Sequence, residues 1–223
     1  MHTPKWESGL LIGLGETNLP PRKAVDLGSG IGTFTIPLAT HAAYVEAYDS
    51  NPEWVEDLRQ LLKEKNLSAV VRCRNVLHVD FAPCSLAAAC VGMNIYIPKS
   101  SVRDLHQKLW RALLPGGLLH SMFATHEDEA EITEFVTEGC VPDPNDRGSY
   151  HHRCGSMYGP PCFYIRRGIT GGSFWPPKEA TEFLLGLGKA ELVHEQTFAW
   201  QQDTGEKPLH RAFHTVTVIK KGY

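Results

Sequence analysis

Residues 24–33, with the sequence AVDLGSGIGT, constrain the fold of this chain more than any other stretch. A short apolar run leads to Asp26, and three glycines spaced by two precede a second apolar run over residues 34–39. This order predicts a buried strand, a tight turn and a helix. Glycine lets the backbone adopt positive φ and approach a ligand closely, and the helix N-terminus beyond presents free N–H groups. An ordinary strand-to-helix turn is the alternative. The glycines are Gly28, Gly30 and Gly32.

The next strand adds an acidic residue at a defined place. The spacing G-x-G-x-G differs from the dinucleotide fingerprint G-x-G-x-x-G. Residues 43–48 predict a second strand, which ends at Asp49. In a right-handed βαβ unit that residue lies at the carboxyl edge beside the first strand, where a carboxylate can accept hydrogen bonds from ribose hydroxyls. A solvated aspartate in a turn is the alternative interpretation.

The glycine turn and Asp49 together resemble the S-adenosylmethionine site of class I methyltransferases. Residues 114–118, LPGGL, are similar to the turn that precedes the fifth strand of that family, so the resemblance covers roughly residues 22–124. The resemblance implies an α/β, Rossmann-like, doubly wound fold with a mostly parallel seven-stranded sheet and a C-terminal antiparallel hairpin. It also implies an enzyme that uses S-adenosyl-L-methionine and leaves S-adenosyl-L-homocysteine.

Carried onto this sequence, the resemblance implies a set of cofactor-binding residues. Class I enzymes often have an acidic residue after the third strand that accepts a bond from the adenine amino group. This chain departs from that pattern with an asparagine, whose amide oxygen can accept the same bond. The implied cofactor residues are Asp26, Gly28, Ser29, Gly30, Gly32, Asp49, Ser50, Asn75, Val76 and Met93.

The length of 223 residues is typical of one domain with one core. The composition changes over residues 139–175, which are rich in Pro, Gly, Tyr, His and Arg and show no clear period. A stretch of this kind is usually a functional cap. We therefore expect four parts within the single domain: an N-terminal arm or lid (1–21), a cofactor-binding core (22–138), a substrate cover (139–175) and the last helix with its hairpin (176–223).

The acceptor is expected to be a small molecule bound beyond the strand ends. Residues 6–9, WESG, are similar to a segment near the start of thiol and thiopurine methyltransferases, and residues 209–211, LHR, resemble the end of tellurite-resistance methyltransferases. These likenesses favour a thiol or another heteroatom nucleophile, methylated by in-line displacement. The candidate substrate-binding residues are Trp6, Asn94, Tyr96, Tyr150 and Arg153.

The catalytic residues are unknown from the sequence. A soft nucleophile is partly ionised near neutral pH and needs no protein base, whereas a phenol or alcohol would benefit from one. His126, His151 and His152 are the available candidates. The two adjacent histidines with Cys154 and Cys162 match no standard ligand spacing, so we expect no metal.

Two other functions remain open. Residues 30–40, GIGTFTIPLAT, resemble uridine-methylating RNA enzymes, although the catalytic cysteine of those enzymes is not recognisable here. The net charge of −3 and the pI near 6.4 disfavour a nucleic-acid partner. The second alternative is a cofactor-binding protein without catalysis.

Composition and apolar runs predict the cellular compartment and the kind of partner. There is no apolar run near the roughly 20 residues that span a membrane, and the N-terminus does not resemble a signal peptide. Six dispersed cysteines are typical of reduced thiols. We therefore expect a cytoplasmic monomer or homodimer whose partner is a small molecule, with no membrane contact.

Overall fold

The computed structural model describes residues 7–16, 23–42, 44–137, 140–152, 171–202 and 209–222. In chain order the strands are β1 Lys23–Leu27, β2 Tyr44–Asp49, β3 Val70–Cys73, β4 Leu86–Val91, β5 Leu113–Ala124, β6 Cys140–Pro142, β7 Ser149–His152, β8 Gly171–Ser173, β9 Ala190–Gln202 and β10 Leu209–Lys220. The α-helices are α1 Ser8–Glu16, α2 Thr35–His41, α3 Pro52–Glu64, α4 Lys99–Ala112, α5 Glu129–Thr137 and α6 Pro177–Leu185. Short 3-10 turns occur at Val76–His78 and Asn94–Tyr96.

The main sheet has seven strands in the order β3-β2-β1-β4-β5-β10-β9. The first five of these are mutually parallel. β10 runs antiparallel to both of its neighbours, with Phe213 opposite Ala124 on β5 and opposite Phe198 on β9. The order reverses between β1 and β4, so the carboxyl ends of these strands form the crevice that binds ligands in doubly wound sheets. The expected mostly parallel sheet and its C-terminal antiparallel hairpin are confirmed.

Helices cover both faces of the sheet, and its central strand β4 is apolar throughout. All six residues of β4 are buried, as is usual for parallel strands covered on both sides. On one face, Leu38 of α2 packs with Leu10 of α1 and with Cys90. On the other face, Leu109 of α4 and Leu184 of α6 pack in one cluster.

Helix α1 occupies part of the expected N-terminal arm and lies flat on the sheet. A Cβ at Gly9 would lie 2.6 Å from Cδ2 of His194, and one at Gly13 would lie 2.6 Å from Cδ1 of Leu118. Two small residues one turn apart therefore let this helix approach β9, β10 and β5 closely. Trp6, a candidate substrate-binding residue, lies outside the described residues.

A second, three-stranded antiparallel sheet in the order β6-β7-β8 lies within the segment expected to cover the substrate. It is joined to the main sheet at the carboxyl edge, where Trp175 N–H donates to the carbonyl of Ala124 at 2.8 Å. The Ser173 hydroxyl donates to the carbonyl of Asn94 at 2.9 Å. The described part of residues 139–175 therefore borders the ends of β4 and β5.

A buried lysine strengthens this junction. Lys99, at the start of α4, is 1% exposed, bonds Glu179 of α6 at 3.0 Å and lies 4.7 Å from the ring centre of Trp175. A Cβ at Gly148, which has a φ of +86°, would lie 2.3 Å from the carbonyl oxygen of Phe174. The loop before β7 is therefore packed without space for a side chain.

None of the helices described in the structure is long and apolar enough to span a bilayer.

Candidate functional site

The glycine turn that follows β1 has the backbone that its sequence predicts. Gly28, Gly30 and Gly32 have φ values of +73°, +47° and +99°, all in the region that side chains rarely adopt. The amides of Gly28 and Ser29 both donate to the carbonyl of Tyr48 on β2, at 2.8 and 3.0 Å. The turn is therefore pinned to the end of the neighbouring strand.

The three glycines differ in what surrounds them. A Cβ at Gly28 would lie 2.4 Å from Cβ of Met93, and one at Gly32 would lie 2.5 Å from Cδ1 of Leu58, so these two positions are filled by protein. No atom lies within 4 Å of a Cβ built at Gly30. The middle of the turn therefore faces open space, where a ligand can approach the backbone.

Asp49 terminates β2 next to this opening. Its Oδ2 accepts the amide N–H of Gly30 at 2.9 Å, and its Oδ1 accepts the amide N–H of Asn51, also at 2.9 Å. The side chain is 6% exposed. Each carboxylate oxygen has a further lone pair, so the group can still accept bonds from a ligand. Main-chain amides therefore orient the acidic residue before any ligand binds.

Asp26 lies beneath the turn and is completely buried. Its Oδ2 accepts the Thr35 hydroxyl at 2.5 Å, from the first residue of α2. Burial raises the pKa of this carboxyl to about 7; the Thr35 hydrogen bond opposes the rise, and the neighbouring Asp49 charge adds to it. Near neutral pH the side chain is therefore divided between its protonated and ionised forms.

Several buried polar atoms around the crevice have no hydrogen-bond partner among the described residues. They are Asp26 Oδ1, Ser29 Oγ, Asn51 Nδ2 and Asn94 Oδ1. Buried polar groups are nearly always paired in folded proteins. Unpaired acceptors and donors, together with the open face of Gly30, therefore fit a polar ligand such as S-adenosylmethionine.

The end of β3 completes this side of the crevice. The amide of Arg74 donates to the carbonyl of Asp49 at 2.8 Å, which brings the following residues beside β2. Val76 is buried, and Asn75 is half-buried with its Oδ1 accepting the amide of Leu77 at 3.0 Å. Asn75 therefore caps the short turn, while its amide oxygen retains a second lone pair. Ser50 is exposed.

The segment after β4 connects the cofactor side of the crevice to the second sheet. Met93 packs against the glycine turn through Gly28. Asn94 is fully buried, and its Nδ2 donates to the carbonyl of Met122 on β5 at 2.9 Å. Tyr96 packs at the margin of an apolar cluster that includes Phe174 and Phe213. One short turn thus contacts both halves of the site.

That apolar cluster, here called the aromatic cluster, lies at the carboxyl edge of β5 and at the start of β10. Tyr150 meets Phe174 edge to face at 5.3 Å between ring centres, and Trp200 stacks on Phe213 at 6.1 Å. Burial raises the pKa of the Tyr150 phenol, which therefore stays protonated near neutral pH. Its buried members are Ile95, Ala124, Cys140, Phe174 and Phe213, bordered by Tyr96, Met122, Ile132, Tyr150 and Trp200.

An ion pair lies behind the aromatic cluster. The guanidinium of Arg211 lies 5.8 and 5.4 Å from the ring centres of Trp200 and Phe213. Its Nε lies 3.3 Å from Oδ2 of Asp128, which is fully buried and also accepts the amide of Ala212 at 3.1 Å. The pair fixes the start of β10 against the residues that follow β5.

Of the three histidines expected as possible bases, the structure describes the side chain of His126 alone. His126 is exposed, and His151 and His152 belong to β7, where their side chains are outside the description. A hydroxyl–imidazole pair does occur between Ser121 and His106, but both residues are 0% exposed. A pair so deeply buried cannot reach a substrate.

The structure therefore brings the cofactor candidates and Asn94, Tyr96 and Tyr150 to one edge of the sheet. Arg153, Cys154 and Cys162 lie outside the described residues, as does Trp6. In the part of the chain that is described, no group of three or more His, Cys, Asp or Glu side chains could hold a metal.

Sequence reasoning missed Asn51 and the pair of Asp128 and Arg211. Asn51 precedes Pro52 and caps α3 by accepting the amide of Glu53, so an N-cap signal was available. The ion pair had no local signal, because its members are far apart in the chain.

Part of the sequence matches a known protein family. The sequence profile of the family described as "Methyltransferase domain" matches residues 24–117, which include β1 to β4 and the glycine turn. No curated protein matches the sequence.

Solved structures share the fold at low sequence identity. A S-adenosylmethionine-dependent methyltransferase from Methanosarcina mazei is 15% identical, with 92% of this chain and 95% of that chain covered and a TM-score of 0.62. Another from Clostridium acetobutylicum is 12% identical, with 100% and 93% covered and a TM-score of 0.62. TehB from Haemophilus influenzae is 15% identical, with 96% and 62% covered and a TM-score of 0.61. Residues 24–117 therefore match the methyltransferase domain family, and the chain shares its fold with S-adenosylmethionine-dependent methyltransferases of known structure.

Proposed function

We propose that this enzyme methylates a small molecule held between the glycine turn and the aromatic cluster. The observation that carries the proposal is the position of the turn at Asn94–Tyr96. Its preceding residue, Met93, packs on the glycine turn, and Tyr96 packs on the aromatic cluster. An acceptor lying against these rings would be next to the cofactor, in an apolar site suited to a small organic molecule.

On the cofactor side we assign each residue one task. Asp49, already oriented by the amides of Gly30 and Asn51, accepts bonds from the ribose hydroxyls. Gly30 lets the backbone approach the ligand, and Ser29 offers a hydroxyl without a described partner. Asn75 and Val76 flank the adenine, with the second lone pair of the Asn75 amide oxygen as acceptor.

The cofactor supplies a methyl group already activated on a sulfonium. The protein therefore has to align the acceptor with that methyl group and keep water away. Met93 and Tyr96 provide apolar surface for alignment, and the second sheet provides cover. This division of labour requires no acid–base pair when the acceptor is a soft nucleophile.

The acceptor atom that suits such a site is a thiol or another soft heteroatom. Thiolates form near neutral pH without help from a protein base. The apolar surroundings of Tyr96 and Tyr150 also favour a polarisable nucleophile over a hard, strongly hydrated one.

We further propose that the enzyme acts as a monomer or homodimer in the cytoplasm, without a nucleic-acid partner. The net charge of −3 supports the last point. Free thiols at Cys73, Cys84 and Cys90 suit a reducing compartment.

Cofactor consumption with a panel of small thiols, phenols and amines tests this function. We expect turnover with at least one thiol and loss of that turnover in Asp49→Ala. Turnover only with bulk RNA, accompanied by a salt-sensitive electrophoretic shift, would replace the small-molecule proposal with the RNA alternative. Tight cofactor binding without turnover on any acceptor would instead support a non-catalytic role.

A further inference from the structure

Two buried carboxyl groups lie at neighbouring strand ends beneath and beside the glycine turn. Asp26 is on β1 and is 0% exposed, and Asp49 ends β2 and is 6% exposed. Neither forms an ion pair with a lysine, arginine or histidine in the described parts of the chain. One oxygen of the first, Asp26 Oδ1, also has no described hydrogen-bond partner. Buried acids usually have a cationic partner, so this arrangement suits a cation supplied by a ligand.

We propose that Asp26 and Asp49 select the cationic cofactor over its neutral demethylated product, and that cofactor uptake expels a proton from Asp26. The inference rests on the proposed binding of S-adenosylmethionine at the glycine turn. The cofactor carries a sulfonium, an ammonium and a carboxylate, and is therefore cationic overall. The product has a thioether in place of the sulfonium and is neutral overall. The binding step converts the carboxylic acid of Asp26 to a carboxylate and releases its proton to solvent.

The surroundings of Asp26 favour this exchange. Burial raises its pKa to about 7 and Asp49 contributes to the rise, so a proton is present to be released near neutral pH. A bound cation would stabilise the ionised carboxylate and reverse that shift. Thr35 from α2 already donates to one oxygen, and both oxygens are buried, so the ionised carboxylate acts on the cation through its charge and without direct contact.

The strands on either side of Asp26 place a thiol and a second carboxyl group near it. Cys90 lies opposite it on β4, and burial raises the pKa of this thiol well above its ordinary value, so the thiol is neutral. His120 stands opposite Cys90 on β5, where its Nδ1 bonds the Thr217 hydroxyl at 2.8 Å and its ring meets Phe34 edge to face. From β2 the facing charged group is Asp49, which is itself acidic.

The selection has a measurable consequence for the catalytic cycle. Only the ionised form of Asp26 attracts the cation. Affinity for the cofactor should therefore rise by up to about tenfold per pH unit below the pKa of Asp26 and should be constant above it. Affinity for the product should change much less over the same range. Methyl transfer would therefore weaken the enzyme's hold on the spent cofactor at the moment when it must leave.

Titration calorimetry in two buffers with different ionisation enthalpies tests the proposal directly. Near pH 6.5 we expect proton release on binding of S-adenosylmethionine and much less on binding of S-adenosylhomocysteine. In Asp26→Asn the release should disappear, and the preference for cofactor over product should fall about tenfold or more. The matched control is Asp104→Asn, an exposed residue of α4, which should leave both quantities unchanged.

A second variant keeps the test informative if Asp26→Asn does not fold. Thr35→Val removes the hydroxyl that stabilises the ionised carboxylate, so the midpoint of the pH dependence should move to higher pH. Equal proton release for cofactor and product, or release that persists in Asp26→Asn, would overturn the inference and leave the methyltransferase function intact. Failure of the wild-type protein to bind the cofactor would contradict the proposed function itself.

Discussion

The cofactor side and the acceptor side of the crevice are built by different means. The cofactor side comes from the consecutive segment between β1 and Met93, and its geometry is set by main-chain bonds and three positive φ values. The proposed acceptor side is assembled from distant segments, including Tyr96, Tyr150 and Trp200, which pack against one apolar cluster. Under the proposed function, a rigid backbone therefore holds the cofactor, whereas side-chain surfaces determine which acceptor is admitted.

This difference also predicts how each side responds to change. A backbone cradle has no freedom to adjust, so an added atom causes strain or blocks the ligand. An aromatic surface loses only part of its contact area when one ring is removed. Mutations on the cofactor side should therefore affect folding or cofactor binding sharply, and those on the acceptor side should produce graded changes in acceptor binding.

The largest effect should come from Gly28→Ala. Its Cβ would lie 2.4 Å from Cβ of Met93, and its φ is +73°. Overpacking and left-handed strain together should reduce the free energy of unfolding by about 2–5 kcal/mol. Denaturant unfolding measures this loss. A fully stable variant would show that Met93 can move away and that the cradle is less rigid than we describe.

Gly30→Ala separates strain from binding at the same turn. Its Cβ would project into open space at a φ of +47°, so the stability cost should be only about 1–2 kcal/mol. Cofactor affinity should nevertheless fall more than tenfold, because the methyl group occupies the opening. The matched control is Gly116→Ala, which has a φ of +78° and open surroundings near the start of β5, away from the glycine turn. It should lose stability equally and bind the cofactor normally.

The next effect is the pH dependence of the free energy of unfolding. The folded-state pKa of Asp26, about 7, lies above its ordinary value of 3.8, so the native state holds an extra proton between these limits. Its contribution to stability is therefore complete below about pH 4 and is lost as pH rises through 7, with a ceiling of ~4 kcal/mol. Asp26→Asn removes this dependence. In thermal unfolding, the stability of Asp26→Asn relative to the wild type should increase between pH 5 and pH 8. A stability difference that does not change with pH would contradict the raised pKa.

Third in size is Asp49→Ala. This change removes the acceptor of two main-chain amides and of the ribose bonds that we propose. Cofactor affinity should weaken by about 1–3 kcal/mol, the cost of losing charge-assisted hydrogen bonds. Calorimetry measures this loss, and unchanged affinity would remove Asp49 from the site. The KM for the acceptor should stay the same, since Met93 separates the glycine turn from the aromatic cluster that we propose as the acceptor surface.

The same contrast explains what could be predicted from the sequence. The glycine turn, Asp49 and the alternation of strands and helices are local patterns. The mostly parallel seven-stranded sheet with its C-terminal hairpin, which the resemblance implied, is confirmed. The close packing of α1 through Gly9 and Gly13 depends on His194 and Leu118, which are remote in sequence. No local period indicates the three-stranded sheet, because its short strands are held by contacts with Asn94 and Ala124.

The smallest effect should come from Tyr150→Leu on the acceptor side. Tyr150, whose ring meets Phe174 edge to face, forms part of the aromatic surface that we propose for the acceptor. Loss of this ring should cost about 1 kcal/mol of acceptor binding, seen as a severalfold higher KM. Cofactor affinity, measured by calorimetry, should not change. Tyr150→Phe keeps the ring and removes the hydroxyl, so it should retain the wild-type KM. If that variant instead behaves like Tyr150→Leu, the phenol donates a hydrogen bond to the acceptor, and the acceptor side depends on directional polar contacts as the cofactor side does.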